Sequence, residues 1–262
     1  EWMFDRQLSA GDTLLNSNIS SIENNFVFEE LPSDTFRLSS KYRLIDWAFN
    51  KNIYSVKRDD YTFVLNPVFD IQKGSGDFFS TRRGGYAKGS IGSKFKWITS
   101  FYENYQSFDP RITEIVRNRA VAPGEAEVKN PLGYFDYSVS SGGISYEFSK
   151  FFQLTGGHGK NFIGNGYRSL LLSDASGNYP FLKSNIKIGR VNYSAVIAEF
   201  IDFTNNLSAD GLKRKKYGSF HYLDVLATKK LKLAFFEAVI WEGDSSGRAQ
   251  LELNYINPFV IF

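Results

Sequence analysis

The densest set of side chains that could bind a ligand lies in a glycine-rich segment, residues 156–174, with the sequence GGHGKNFIGNGYRSLLLSD. Its candidate ligand-binding residues carry donors, acceptors and charges of both signs: His158, Lys160, Asn161, Tyr167, Arg168 and Asp174. Such a set suits a polysaccharide, because tyrosine rings stack on the apolar faces of sugars and Lys or Arg holds uronate carboxylates by charge-assisted hydrogen bonds. Alternatively, the glycines only permit a tight internal loop in which Arg168 pairs with Asp174. Both interpretations stay open.

The same segment does not fit the common catalytic or nucleotide-binding motifs. A phosphate-binding loop needs glycine where Leu154 stands and Ser or Thr where Asn161 stands. Residues 164–166 lack the third glycine of a dinucleotide-binding fold. A phospholipase-type barrel needs Ser two residues after its His, but Lys160 follows His158 at that distance. We therefore predict that the chain is not an enzyme, and we expect no Ser–His pair within hydrogen-bond reach.

The composition excludes several other classes of site. The chain contains no cysteine and only two histidines, His158 and His221, so we predict neither a metal site nor a cofactor. A net charge of +3 is too small to indicate nucleic-acid binding. The sequence contains no run of about 18 apolar residues, which excludes a transmembrane helix.

The elements that must position the candidate residues are predicted to be β-strands. Aromatic residues make up 17% of the chain, which suits sheet surfaces, and apolar and polar residues alternate from residue 60 onward. Phe95, Trp97 and Phe101 fall on one side of a strand, whereas Lys96 and Asn104 fall on the other. The alternation predicts ten strands, at about 60–71, 85–91, 94–106, 133–148, 151–158, 180–188, 191–202, 218–228, 231–242 and 249–256.

The predicted connections alternate in length. Those at 72–84, 107–132, 159–179 and 203–217 are long, and those at 92–93, 149–150, 189–190 and 229–230 are short. Up-and-down outer-membrane β-barrels show this asymmetry, whereas soluble β-sandwiches do not. We therefore predict an all-β, antiparallel up-and-down outer-membrane β-barrel over residues 60–262. An N-terminal segment with a short helix at about 40–49 precedes it over residues 1–59, and a helical turn follows Asp109-Pro110 in one long loop.

The alternation also predicts which side chains contact lipid. We expect eight to point outward: Phe95, Trp97, Phe101, Tyr193, Ile197, Leu233, Phe235 and Trp241. Arg in place of Leu233 is predicted to cost about 2–4 kcal/mol if that position lies near the bilayer midplane. Glu199 and Glu237 interrupt the pattern, since they fall on the apolar sides of their strands.

The glycine-rich segment, with Tyr179-Pro-Phe-Leu182 after it, resembles the signature of the Wzi-type capsule-assembly outer-membrane barrels. It is closest to their relatives in gliding bacteria, the RemB-like gliding-motility barrels. The resemblance covers residues 60–262, and its supporting pieces are Arg83-Gly84, Phe101-Tyr-Glu-Asn104, Val121-Ala-Pro-Gly124 and Asn254-Tyr-Ile-Asn-Pro258. It implies a barrel of roughly eighteen strands that binds exported capsular polysaccharide at the cell surface. Since ten strands fall short of that, we expect the chain to stop before the barrel closes.

The expected function is that of a non-catalytic barrel of the bacterial outer membrane. Its expected partners are acidic surface polysaccharide or lipopolysaccharide, together with outer-membrane lipid, and not nucleic acid. The alternative is a structural subunit of a surface machine for gliding motility, adhesin display or protein secretion, with outer-membrane or periplasmic protein partners. The basic run Lys213-Arg-Lys-Lys216 contacts phosphates or an acidic glycan in one interpretation, and is a solvated loop tip in the other.

Overall fold

The computed structural model describes residues 52–74, 78–129, 133–164, 169–201, 211, 213–228, 231–242 and 253–257. In this part of the chain ten strands form one sheet. They are β1 (Tyr54–Lys57), β2 (Tyr61–Lys73), β3 (Phe79–Ile91), β4 (Phe95–Gln106), β5 (Phe135–Ser149), β6 (Phe152–Gly159), β7 (Tyr179–Ile188), β8 (Val191–Ile201), β9 (Lys215–Leu226) and β10 (Lys232–Glu242). One α-helix, α1 (Pro110–Arg119), and one 3-10 turn (Leu253–Ile256) accompany them.

The sheet is an antiparallel meander in which every strand pairs with its neighbours along the chain. This confirms the predicted all-β, up-and-down architecture. Within the described ranges β1 and β10 are not paired with each other, so the sheet is open there. No helix in the described part of the chain is long and apolar enough to cross a membrane.

Nine of the ten predicted strands are present, and the prediction differs from the structure chiefly in three places. Strand β1 adds to the sheet from within the range predicted as the N-terminal segment. The long loop predicted at 72–84 is wrong, because β2 and β3 continue their ladder to the pair Lys73 and Phe79. The strand predicted at 249–256 is wrong over Leu253–Ile256, which form a 3-10 turn, and residues 249–252 lie outside the described residues. The helix predicted at 40–49 lies outside the described residues.

The register assigns every strand residue to one of two faces. The polar face contains the cross-strand row Thr62, Ser90, Lys96, Ser145 and Thr155. The apolar face contains the row Phe63, Gly89, Trp97, Ile144, Gly156, Leu182 and Ile197. The eight side chains predicted to point outward all lie on the apolar face, so the prediction that they share a face is confirmed. Glu199 and Glu237 lie on it too, as the alternation indicates.

The connections divide between the two ends of the sheet. At one end they are short, at 58–60, 92–94, 150–151, 189–190 and 227–231. At the other end three are long, at 107–134, 160–178 and 202–214, and only 74–78 is short. The predicted alternation of loop length is therefore confirmed except for the β2–β3 connection.

Helix α1 begins where the sequence predicts a helical turn. The Asp109 side chain accepts a hydrogen bond from the Arg111 backbone N–H at 3.0 Å, and Pro110 occupies the first turn. The helix ends at Ala120, which adopts a left-handed conformation with φ 52° and donates its N–H to the Val116 carbonyl. Val116 is the helix residue that is buried against the sheet.

Two buried clusters lie on the polar face, beneath the long loops. In the first, Val116, Ala122 and Val128 pack on Phe135 and Tyr137 of β5. In the second, Ile163 and Leu172 pack with side chains of three strands, namely Tyr179, Phe181, Val196, Ala198, Phe220 and Tyr222. The loops therefore fold back over the polar face at the long-loop end, while large apolar side chains on the other face remain exposed.

Candidate functional site: the polar face and its loops

Two of the predicted ligand-binding residues are fixed by loop contacts. Lys160 donates from Nζ to the Gly124 carbonyl at 2.6 Å. Asn161 is only 3% exposed, and its backbone N–H donates to the Tyr179 hydroxyl at 3.0 Å. Among the described residues the Asn161 Nδ2 has no hydrogen-bond partner. Asn161 is therefore buried in the loop packing, and Lys160 is half-buried beside it.

His158 does not lie with the other predicted site residues. Because β6 extends to Gly159, His158 is a strand residue, opposite Gly142 on one side and Pro180 on the other. This register places it on the apolar face, where it is exposed and its Nδ1 lies 3.2 Å from the Ser140 carbonyl oxygen. His158 is therefore separated from Lys160 and Asn161, which belong to the loop after β6.

The remaining predicted site residues belong to the loop after β6. Asp174 is half-buried there. Tyr167 and Arg168 lie outside the described residues, so the pairing of Arg168 with Asp174 stays a prediction. The loop packs on the polar face through Ile163 and Leu172, whose backbones bridge to each other.

The loops form one unit, here called the loop cluster, over residues 120–129, 160–164 and 169–178. The Lys160–Gly124 hydrogen bond joins its two halves, and glycines permit their close approach. A Cβ at Gly177 would lie 2.8 Å from the Glu125 carbonyl oxygen, and Gly124 adopts φ +73° beside Ala175. Asn178 ties the cluster to β5 by donating to the Ser140 carbonyl at 2.7 Å.

The run Lys213-Arg-Lys-Lys216 is mostly paired with carboxylates. Lys213 lies 2.6 Å from Glu127 of the loop cluster, and Lys215 lies 2.9 Å from Glu199. Lys216 lies 3.1 Å from Glu242 on β10. The interpretation as a solvated loop tip is therefore wrong, since the run enters β9 at Lys215 and three of its four cations are engaged within the chain.

The polar face carries a surplus of positive charge. Eight of its strand residues are cationic: Lys57, Arg82, Lys88, Lys96, Lys183, Lys187, Lys216 and Lys232. Four are anionic: Asp70, Glu147, Asp224 and Glu242. The strands of the apolar face have three cations and four carboxylates: Lys73, Arg83, Lys215, Glu103, Asp136, Glu199 and Glu237. Net positive charge is therefore confined to the polar face of the strands.

Over β2–β4 these cations lie among hydroxyl, amide and aromatic groups. The Arg82 guanidinium lies 5.7 Å from the centre of the Tyr102 ring, and the Asn66 amide donates to the Tyr86 hydroxyl at 2.8 Å. Lys88 is half-buried and, among the described residues, has no ion-pair partner. The arrangement can stack a sugar ring and hold a carboxylate on it.

A different polar cluster interrupts the apolar face on β8 and β9. His221 Nε2 lies 2.8 Å from the Ser219 Oγ, and His221 Nδ1 lies 2.7 Å from the Tyr193 hydroxyl. The expectation that no Ser–His pair lies within hydrogen-bond reach is therefore wrong. Ser219 is 0% exposed and His221 is also buried, and the Tyr255 carbonyl oxygen lies 3.3 Å from Nε2. The cluster thus contacts the turn after β10 and offers its serine hydroxyl no open access.

Two further findings concern metal sites and related proteins. Within the described ranges, no group of three or more His, Asp or Glu side chains is arranged to hold a metal ion. Comparison with protein-family models, curated proteins and solved structures gave no match.

Sequence reasoning missed the cations of β3 and β4 as candidate ligand groups. The alternation of polar and apolar residues along each strand places Lys88 and Lys96 on the side that faces away from the apolar side chains. Their membership of one positive surface follows only from the register that aligns β3 with β4. Counting charges separately for the two parities of each predicted strand would have found the surplus.

Proposed function

We propose that the sheet is part of the wall of a bacterial outer-membrane β-barrel and that its polar inner face binds acidic surface polysaccharide. The protein acts without catalysis, as an anchor for exported glycan. The observation that carries the proposal is the contrast between the two faces. One is apolar and exposed over most of its strands, and the other is net positive and rich in hydrogen-bonding groups.

The apolar face supports the membrane part of the proposal. Phe69 is 72% exposed, Phe235 is 63% exposed and Ile91 is 61% exposed, and all three lie on this face. Exposed apolar patches larger than a few hundred Å² are unusual in soluble monomers, because water solvates them poorly. Lipid acyl chains remove that cost, and outer-membrane strands alternate apolar residues outward with polar residues inward.

The polar face supports the ligand part of the proposal. Uronates and other acidic sugars have carboxylates that Lys88, Lys96 and Arg82 can hold by charge-assisted hydrogen bonds. Tyr86 and Tyr102 supply rings beside them. The loop cluster covers the same face at the long-loop end, where Lys160 donates to the Gly124 carbonyl.

The proposal is tested by removing one cation and measuring glycan binding. Lys88→Gln in the full chain is expected to weaken binding of an acidic polysaccharide about tenfold, since a charged hydrogen bond contributes roughly 1.5–3 kcal/mol. Lys73→Gln is the matched control, because Lys73 lies on the apolar face. Loss of binding in Lys88→Gln alone, with normal levels in the membrane, supports the proposal. Equal binding by both variants contradicts it.

The loop variants test the predicted site residues. Replacing Lys160 and Arg168 together with Ala is expected to leave the barrel assembled and to reduce retention of acidic polysaccharide on cells. If retention of the polysaccharide is unchanged while barrel levels are normal, the loop is not part of the binding site. Loss of the folded protein would instead favour the interpretation that these residues form an internal network.

A second candidate, a structural subunit of a surface machine, is favoured by one observation. Ile112 and Ile115 on α1, with Leu170 and Leu171 in the loop cluster, are exposed apolar side chains at the long-loop end. Apolar loop patches suit a protein partner better than a sugar. Site-specific cross-linking from position 115 in living cells would identify such a partner. If Ile112→Asp keeps full acidic-glycan binding but loses a specific cross-link from position 115, this second function is supported.

A further inference from the structure

A separate polar cavity opens on the apolar face at the long-loop end. Its volume is about 200 Å³, and it is lined by Thr81, Arg83, Glu103, Asn104, Tyr105 and Asp136. By register all of these except Asn104 lie on the apolar face. The cavity is therefore on the opposite side of the sheet from the cations of the polar face. It lies beyond the apolar residues of β4, since Glu103 and Tyr105 follow Phe101 toward the long-loop end.

The polar groups of the cavity include an ion pair with spare hydrogen-bonding capacity. Arg83 Nη2 and Nε lie 2.8 and 2.9 Å from the same oxygen of Glu103, Oε2. Among the described residues no contact occupies the second oxygen, Oε1. With Asp136 also in the lining, the cavity has two carboxylates and one guanidinium. This balance disfavours phosphates and uronates, whereas uncharged hydroxyl groups can donate to the carboxylates.

Aromatic rings lie beside the polar groups. Tyr105 and Tyr134 stack with their ring centres 5.1 Å apart and an angle of 21° between their planes. Phe79 meets Tyr134 edge-on, with ring centres 6.3 Å apart. Both tyrosines are exposed. The C–H face of a pyranose can therefore lie on an aromatic surface that is already ordered, next to groups that bond its hydroxyls.

We propose that this rim cavity binds an uncharged sugar unit of a surface glycan. Tyr105 provides the stacking surface, Glu103 and Asp136 accept from sugar hydroxyls, and Arg83 donates to a ring or hydroxyl oxygen. The sugar unit belongs either to lipopolysaccharide or to an exported capsule, since both present neutral hexoses at the cell surface. The proposal does not require the acidic-glycan site of the polar face.

The test uses the full chain in detergent micelles, with neutral hexoses and N-acetylhexosamines as probes and saturation-transfer NMR as the readout. Tyr105→Ala is expected to weaken binding about tenfold, because the apolar contact of one ring is lost. Tyr105→Phe keeps the ring and is expected to bind normally. Glu103→Gln, which keeps the shape of the side chain, is expected to weaken binding about tenfold. Tyr146→Ala is the control, because Tyr146 is exposed on the same face at the short-turn end.

Each outcome decides the proposal. Loss in Tyr105→Ala and Glu103→Gln with normal binding by Tyr105→Phe supports it. Absence of any binding by the unaltered chain, or equal binding by Tyr105→Ala and Tyr146→Ala, overturns it. Comparing dephosphorylated lipopolysaccharide core with neutral capsular oligosaccharide then identifies the source. Lys88→Gln is expected to leave neutral-sugar binding unchanged, so failure of this site is distinguishable from failure of the acidic-glycan site.

Discussion

Replacing Leu182 with Arg tests whether the apolar face contacts lipid. Leu182 lies on β7 between Gly156 and Ile197, in the same cross-strand row as Trp97 and Ile144. It is 47% exposed, so the new side chain has room and disrupts little packing. In lipid, a guanidinium near the midplane costs about 2–4 kcal/mol of unfolding free energy. In water, a substitution at an exposed position changes it by about 0.5 kcal/mol or less.

The chain offers matched controls for the same substitution. Leu170 is fully exposed in the loop cluster, so Leu170→Arg is expected to change the unfolding free energy by less than about 0.5 kcal/mol. Leu233 lies on the apolar face but near the short turn at 227–231. Leu233→Arg is therefore expected to cost about 0–1 kcal/mol, because the penalty falls toward the membrane interface. The midplane value expected from sequence applies to Leu182 instead.

The assay is reversible folding of the full chain into phospholipid bilayers, titrated with urea and followed by tryptophan fluorescence. The order of cost expected for a lipid-facing surface is Leu182→Arg, then Leu233→Arg, then Leu170→Arg. If Leu182→Arg and Leu170→Arg have the same unfolding free energy, the apolar face does not contact lipid. That result would also contradict the proposal of a membrane barrel.

Three further predictions concern the polar face and its loops. Asp224→Asn is expected to cost about 3–5 kcal/mol in the same urea titration, because it removes a buried carboxylate that lies 3.0 Å from Lys232, whose side chain is only 11% exposed; a loss below about 1 kcal/mol would mean that solvent reaches the pair. Ala120→Gly is expected to raise the midpoint of thermal unfolding, since Ala120 holds a left-handed conformation that costs a residue with a Cβ about 1 kcal/mol; an unchanged or lower midpoint would contradict it. Lys160→Met is expected to increase amide hydrogen exchange in both halves of the loop cluster, because it removes the Lys160–Gly124 hydrogen bond. Exchange that rises in one half only would show that this bond does not join the two.

Strand positions could be predicted from the sequence wherever alternation is complete within a strand. In β4, the positions of Phe95, Trp97 and Phe101 alone predict which residues share a face. The register of the sheet agrees with that prediction. The first half of β3 could not be found this way, because its residues 79–84 are mostly polar and end in glycine. It is a strand because β2 supplies hydrogen bonds to it on one side and β4 on the other.

The candidate site was only partly predictable for a related reason. The glycine-rich segment was correctly treated as a long loop after residue 159, and Lys160 and Asn161 lie in it. His158 is correctly predicted as the last residue of the strand at 151–158, but the face on which it lies follows only from the pairing of β6 with β5 and β7. Likewise, the Ser219–His221 contact follows from alternation along β9, but its burial depends on Tyr255, far along the chain.

The meander also constrains how a gene for such a sheet can change in length. Each strand pairs only with the strands before and after it, so the sheet grows in units of one hairpin. Duplication or loss of two consecutive strands leaves every other strand running in its original direction, and the long loops stay on their side. A single additional strand would reverse the direction of every strand after it. The long loops of those strands would then lie at the opposite end of the sheet. Within a strand, inserting two residues preserves the faces and inserting one exchanges them. Descendants of this gene are therefore expected to differ by whole hairpins and by even-numbered insertions.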